Sequence, residues 1–180
     1  MSATVNDNIA WRVAELLRTH GIVIDEKHRG PVPLSRVFDE CELLHAALPD
    51  LNRRAIQAHL MDQGIVVGDV GPADDPLSGF IITVGRTGWA YVNPSDILPR
   101  RRFTAAHELG HFILHREQMV TGYLSDTSTN ILETIEYDAL QTMEREANLF
   151  GATFVSKFPG TSSRESTAAH LTSSAGYHAG

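Results

Sequence analysis

The run Arg101-Arg102-Phe103-Thr104-Ala105-Ala106-His107-Glu108-Leu109-Gly110-His111-Phe112-Ile113-Leu114-His115 decides how this chain is read. Phe103, Ala106, Gly110 and Leu114 supply a close-packing face at helical spacing, so residues 102–115 are predicted to be a helix. Inside it, His107-Glu108-Leu109-Gly110-His111 has the form H-E-x-x-H. Residues i and i+4 of a helix lie about 40° apart and one turn along the axis, so two imidazoles at that spacing converge on one metal ion. Glu108 projects roughly 100° away from His107, which directs it at a metal-activated water rather than at the metal and suits it to be a general base. By simple multiplication, a chain of this composition shows the pattern roughly 3 times in 100, so the five residues need support from their surroundings. Gly110 gives some. It weakens the helix by roughly 1 kcal/mol but leaves room beside His111, a local rule broken at a candidate site.

A catalytic zinc has three protein ligands and one open position. His115 cannot be the third, because about 12 Å of helix rise separates it from His107, so it is expected in the second shell or at the surface. The better source is Glu144-Arg145-Glu146-Ala147-Asn148. Glu144 and Asn148 stand at i and i+4, which suggests a ligand and a partner that accepts the second N–H of a metal-bound imidazole. Glu146 competes with Glu144 for the ligand role.

Working outward, helices are expected over residues 8–20, from Leu34 to about Leu48, and over 52–63 with Gly64 ending the third. Ile65 to Val67, Phe80 to Val84 and Trp89 to Val92 read as three strands, the last two joined by a hairpin connection at Gly85 to Gly88. Asn93 to Pro99 reads as a connector. Asn130 followed by Glu133 has capping-box form and opens a helix to about Val155. The expected class is α+β: N-terminal helices, a small three-stranded sheet and a zincin-like pair of metal-binding helices. One domain spans 1–159, divided into a helical part at 1–63 and the sheet with the metal helices at 64–159. The serine-, threonine- and glycine-rich residues 160–180 contain too little apolar surface to offset ordering and are expected to be a disordered tail.

Composition narrows the function. The longest uncharged apolar run, around Phe80 to Val84, is far short of the roughly 18–20 residues that a membrane span needs, so no membrane partner is expected. Asp7, Arg12, Glu15 and Arg18 interrupt the first twenty residues, which argues against a secretory signal and for a cytoplasmic location. The single cysteine, Cys41, excludes an internal disulfide and a cysteine-built zinc cage, and its helical apolar position reads as packing. A net charge of −7 disfavours general nucleic-acid binding.

The stretch from Arg101 to His115, followed by Glu144-Arg145-Glu146-Ala147-Asn148-Leu149-Phe150-Gly151-Ala152, resembles the ImmA/IrrE family of zinc metallopeptidases over roughly residues 60–159. The resemblance implies that His107, His111 and Glu144 hold one Zn2+, with Mn2+ as an alternative, and that Glu108 activates water. It further implies a protease of stress or mobile-element responses that makes a limited cut in a helix-turn-helix transcriptional repressor. One departure stands out. Where the family commonly reads F-A-x-x-L-L-M-P, this chain has Phe150-Gly151-Ala152-Thr153-Phe154-Val155-Ser156-Lys157-Phe158-Pro159. No oxyanion-stabilising residue is evident, and Tyr123 and Tyr137 read first as packing.

A second class of function starts from the N-terminal third. Leu34 to Leu48, a Pro-Asp break, residues 52–64 and a strand pair resemble a winged helix, in which Arg53, Arg54 and Gln57 would meet DNA. The same helices equally suit a packing shell or substrate platform for the protease.

Overall fold

The computed structural model describes residues 5–19, 34–67, 74–84, 87–119, 123–125 and 137–157. Five helices and a small mixed sheet follow in the order α1 (Val5–Thr19), α2 (Leu34–Glu40), β1 (Leu43–Ala47), α3 (Arg53–Asp62), β2 (Gly79–Val84), β3 (Thr87–Val92), α4 (Leu98–His115), β4 (Tyr123–Ser125) and α5 (Tyr137–Lys157). The class is α+β, as the sequence implies. Three strands of five or six residues, β1, β3 and β2, make the body of the sheet, and the three-residue β4 extends it beside β2. Among the described residues, no helix is long and apolar enough to cross a membrane.

Side-chain alternation divides the molecule into two cores. On β2 and β3, Ile81 and Ala90 face one side with α1, α4 and α5, while Phe80, Ile82 and Tyr91 face the other with Leu51, Ile56 and Leu60 around α3. Both faces of the sheet are therefore covered, which is why Phe80 to Ile82 reads as an unbroken apolar run rather than an alternating one. Two glycines let α4 approach its face of the sheet closely. A Cβ built on Gly88 would overlap Phe112 of α4 and Leu43 of β1, and one on Gly79 would overlap Thr104 and Glu108 of α4.

Two expectations are corrected. The helix expected to reach Leu48 stops at Glu40; after a turn in which Glu42 has a φ of 56°, Leu43–Ala47 forms β1 and runs parallel to β3. Leu34, Val37, Phe38, Cys41, Leu44 and Leu48 fit a helical period, but β1 gains its ladder from a strand some forty residues away, which no local period registers. The part expected to be helical thus contributes a strand. Ile65 to Val67, expected as a strand, is irregular: Ile65 and Val67 pack on the α3 core and Val66 is exposed.

Other local signals act as expected. Asn52 caps α3, its Oδ1 accepting the Ala55 N–H at 2.8 Å. Gly64, at a φ of 76°, ends α3 in a Schellman motif, with Ile65 N–H donating to Leu60 O and Gly64 N–H to Met61 O. α4 begins at Leu98, earlier than expected, because Pro99 sits in its first turn, where a missing N–H is harmless. The capping box at Asn130 and Glu133 and the tail at 160–180 lie outside the described residues.

α4 and α5 make the closest helix pair. A Cβ on Gly110 would press on Phe150 at 3.1 Å, and one on Gly151 would stand 3.2 Å from the His107 backbone nitrogen. We expect Gly151→Val to destabilise the fold by about 1–3 kcal/mol through overpacking, more than the gain of under about 1 kcal/mol from removing a helical glycine. Asn52→Ala should cost about 1 kcal/mol as a lost cap. Urea unfolding monitored by circular dichroism measures both; a Gly151→Val chain as stable as the wild type would show that the two helices can separate freely.

Candidate metal centre

The helical repeat of α4 stacks His107, His111 and His115 one turn apart, all buried in the face turned toward α5. His107 Nε2 and His111 Nε2 lie 3.0 Å from each other. Because Gly110 and Gly151 let the two helix backbones approach, Glu144 of α5 reaches both rings: its Oε2 is 3.4 Å from His107 Nε2 and its Oε1 is 3.3 Å from His111 Nε2. One donor atom from each of His107, His111 and Glu144 falls in a group spanning no more than 4.8 Å.

These residues fit a divalent metal. Four ligands at the usual zinc distances of 2.0–2.1 Å stand about 3.3 Å apart at the corners of a tetrahedron, close to the separations found here. Charge agrees with geometry. Burial pushes the His111 imidazole down to about 4, so at neutral pH the ring is uncharged and its lone pair is available to a metal. Burial works against ionisation of Glu144, but the hydrogen bonds and charges of His107 and His111 outweigh it and hold the carboxyl at about 2. Two imidazoles and one carboxylate are an N2O donor set of the kind that catalytic zinc sites use, and manganese or iron can occupy such a set as well.

Glu108 is buried beside this group and outside it. Its carboxylate lies against the start of β2, where Gly79 has no side chain to displace it, next to Thr104 one turn earlier on α4. Nothing in the sequence marked Gly79 beyond its place at the head of an apolar run. His115, expected in the second shell or at the surface, is buried, with its Nδ1 3.2 Å from His111 Nδ1 and its Nε2 3.1 Å from Glu146 Oε2. Glu146, weighed as a ligand, is therefore engaged one turn farther along α4. Asn148 was expected to orient a metal-bound ring, but it is exposed on α5, and the outer nitrogen of His111 meets His115 instead. The side chains of Tyr123 and Tyr137 lie outside the described part of the structure.

The residues of the DNA-binding reading stand on α3, two of them already engaged. Arg53 is buried, Arg54 pairs with Asp74 at 3.2 Å, and the expected helix before them is broken by β1. Cys41 packs on the larger core, and burial together with the charge of Glu40 pushes its thiol up to about 11, the opposite of an activated nucleophile.

With this geometry in place, the family model described as the IrrE N-terminal-like domain of Peptidase_M78 matches residues 60–158. The chain belongs to this peptidase family. A search of curated proteins finds no match. The matched span of the IrrE N-terminal-like domain takes in β2, β3, α4, β4 and α5, and so all three donor residues and Glu108, while α1, α2 and β1 lie before it.

For the metal group, the expected result is close to one divalent ion per wild-type chain, measured by elemental analysis after purification without a histidine tag or chelator. His107→Ala, His111→Ala and Glu144→Ala should each lose most of that metal. Glu108→Gln should retain it, because Glu108 stands outside the donor group.

Proposed function

We propose that this member of the family is a zinc-dependent endopeptidase that makes a limited cut in a protein substrate, with a helix-turn-helix transcriptional repressor as the substrate class. The observation that carries the reading is the separation of roles at the α4–α5 contact: three donors converge while a fourth ionisable group, Glu108, is buried beside them without joining. Structural zinc sites close their coordination with a fourth protein ligand, commonly cysteine, and the only cysteine, Cys41, is engaged elsewhere in the core. The family match supports a metallopeptidase. The repressor substrate, a cytoplasmic setting and a part in stress or mobile-element responses are proposed on the sequence resemblance.

When bound, the metal supplies a Lewis acid that polarises a peptide carbonyl and acidifies a water molecule. His107, His111 and Glu144 would hold and orient it, and burial and mutual contact keep His111 and Glu144 in their ligating protonation states. The Glu108 carboxylate takes the water proton and delivers it to the departing amine nitrogen, one group acting first as base and then as acid. Gly79 keeps the carboxylate close to β2 and so sets its approach.

Two outcomes test the mechanism. Glu108→Gln should abolish cleavage while keeping metal, as judged by mapping new protein N-termini after incubating the chain with an extract of its own host; cleavage that survives the substitution would exclude Glu108 as the base. Wild-type cleavage confined to proteins that are not helix-turn-helix regulators would overturn the substrate class. Gly79→Ala should reduce turnover at least about tenfold with metal content unchanged, since a shift on the order of 1 Å in a catalytic group can cost 10²-fold.

A further inference from the structure

Beyond the three donors, the buried polar groups of α4 continue as a chain toward the surface. His111 Nδ1 meets His115 Nδ1 at 3.2 Å, and His115 Nε2 meets Glu146 Oε2 at 3.1 Å. His111 and His115 are nearly inaccessible, while the Glu146 side chain is about one-third exposed and lines a cavity of about 150 Å³ with Val5, Asn8, Ile9, Arg12 and Leu114.

Only one arrangement of protons makes every link of this chain a hydrogen bond when His111 Nε2 binds a metal. Nε2 must then offer its lone pair, so the ring proton of His111 sits on Nδ1. That N–H can donate only if His115 Nδ1 is an acceptor, which places the His115 proton on Nε2, and this in turn donates to a carboxylate that needs no proton of its own. Reversing any one link sets two N–H groups, or two lone pairs, against each other.

The geometry points to His115 and Glu146 as positioning residues that fix the ring orientation and the Nδ1–H tautomer of His111, and so set the affinity and lifetime of the metal. The inference rests on the metal reading given above. Glu144 and Glu146, two residues apart on α5, then act at different depths, one on the metal and one through two imidazoles. Ring-fixing partners of this kind typically carry about 10- to 100-fold in metal affinity.

The test combines zinc affinity, from competition with a chromophoric chelator, with nitrogen-15 NMR of the histidine rings in the zinc-loaded protein. Glu146→Ala, a change at a partly exposed side chain that spares the core, should weaken zinc about 10- to 100-fold, and so should His115→Ala. His115→Gln should restore affinity to within about threefold of the wild type, because one amide both accepts from His111 and donates to Glu146. In the wild type, His115 should carry its proton on Nε2, and His111 Nδ1–H should be a slowly exchanging, downfield resonance that is lost in Glu146→Ala. A folded Glu146→Ala protein that binds zinc as the wild type does, or a wild-type His115 protonated on Nδ1, overturns the positioning role while leaving the three-donor site standing. A wild type that binds no zinc overturns both.

Discussion

The approach of α5 to α4 is the constraint on which the rest of the structure depends. A carboxylate can join two imidazoles of another helix only if the backbones come closer than ordinary side chains permit, and Gly110 and Gly151 remove the Cβ atoms that would intervene. Phe150, Phe154, Met143 and Ala147 then fill the remaining space from the α5 side. The two glycines cost helix propensity and backbone entropy, and that local cost is offset by burial across the helix pair. The packing of the two helices thereby brings the Glu144 carboxylate to both rings.

The sheet imposes a second constraint from the opposite side of α4. Gly79, Ile81, Gly88 and Ala90 lie under the helix, and the two glycines receive Glu108 and Phe112 directly. α4 is thus held between α5 and the sheet, with its histidines turned to one and Glu108 to the other. The division of labour between ligands and base follows from this placement. An H-E-x-x-H helix seated on only one partner would leave either the ligands or the base free to rotate, and precise chemistry needs both to be fixed.

What the sequence disclosed, and what it did not, divides along the range of the interactions. The α4 motif, the Asn52 cap, the Gly64 stop and the neighbouring strands β2 and β3 are encoded within a few residues, and each is legible because capping, strand-rich runs and helical spacing act locally. β1 was hidden for the converse reason. Leu43-Leu44-His45-Ala46-Ala47 lacks β-branched residues and continues a helical period, yet pairing with β3 prevails over local preference. The donor role of Glu144 was suggested by its spacing from Asn148 and implied by the resemblance, but choosing it over Glu146 requires knowing which face of α5 meets His107 and which meets His115. Asn148 is exposed although it shares i,i+4 spacing with Glu144, because that spacing alone does not show what a side chain touches.

The distribution of buried polarity is itself an argument about function. Of the six buried polar or charged residues among the described residues, Thr104, His107, Glu108, His111 and His115 belong to the single helix α4, and Arg53 is the sixth. An unsatisfied buried polar group costs about 1–3 kcal/mol, so a helix shaped for stability alone would carry apolar residues at those positions, as α1 does with Ile9, Val13, Leu16 and Leu17. In α4 the polar groups engage one another and two carboxylates of α5 at separations of 3.0–3.4 Å, in an order that runs from the donor group outward. Desolvation lowers the proton affinity of His111 and His115, and the same desolvation strengthens each remaining contact. Local rules are broken together, along one helix held between α5 and the sheet, as a site built for chemistry requires and a merely tolerated polar core does not.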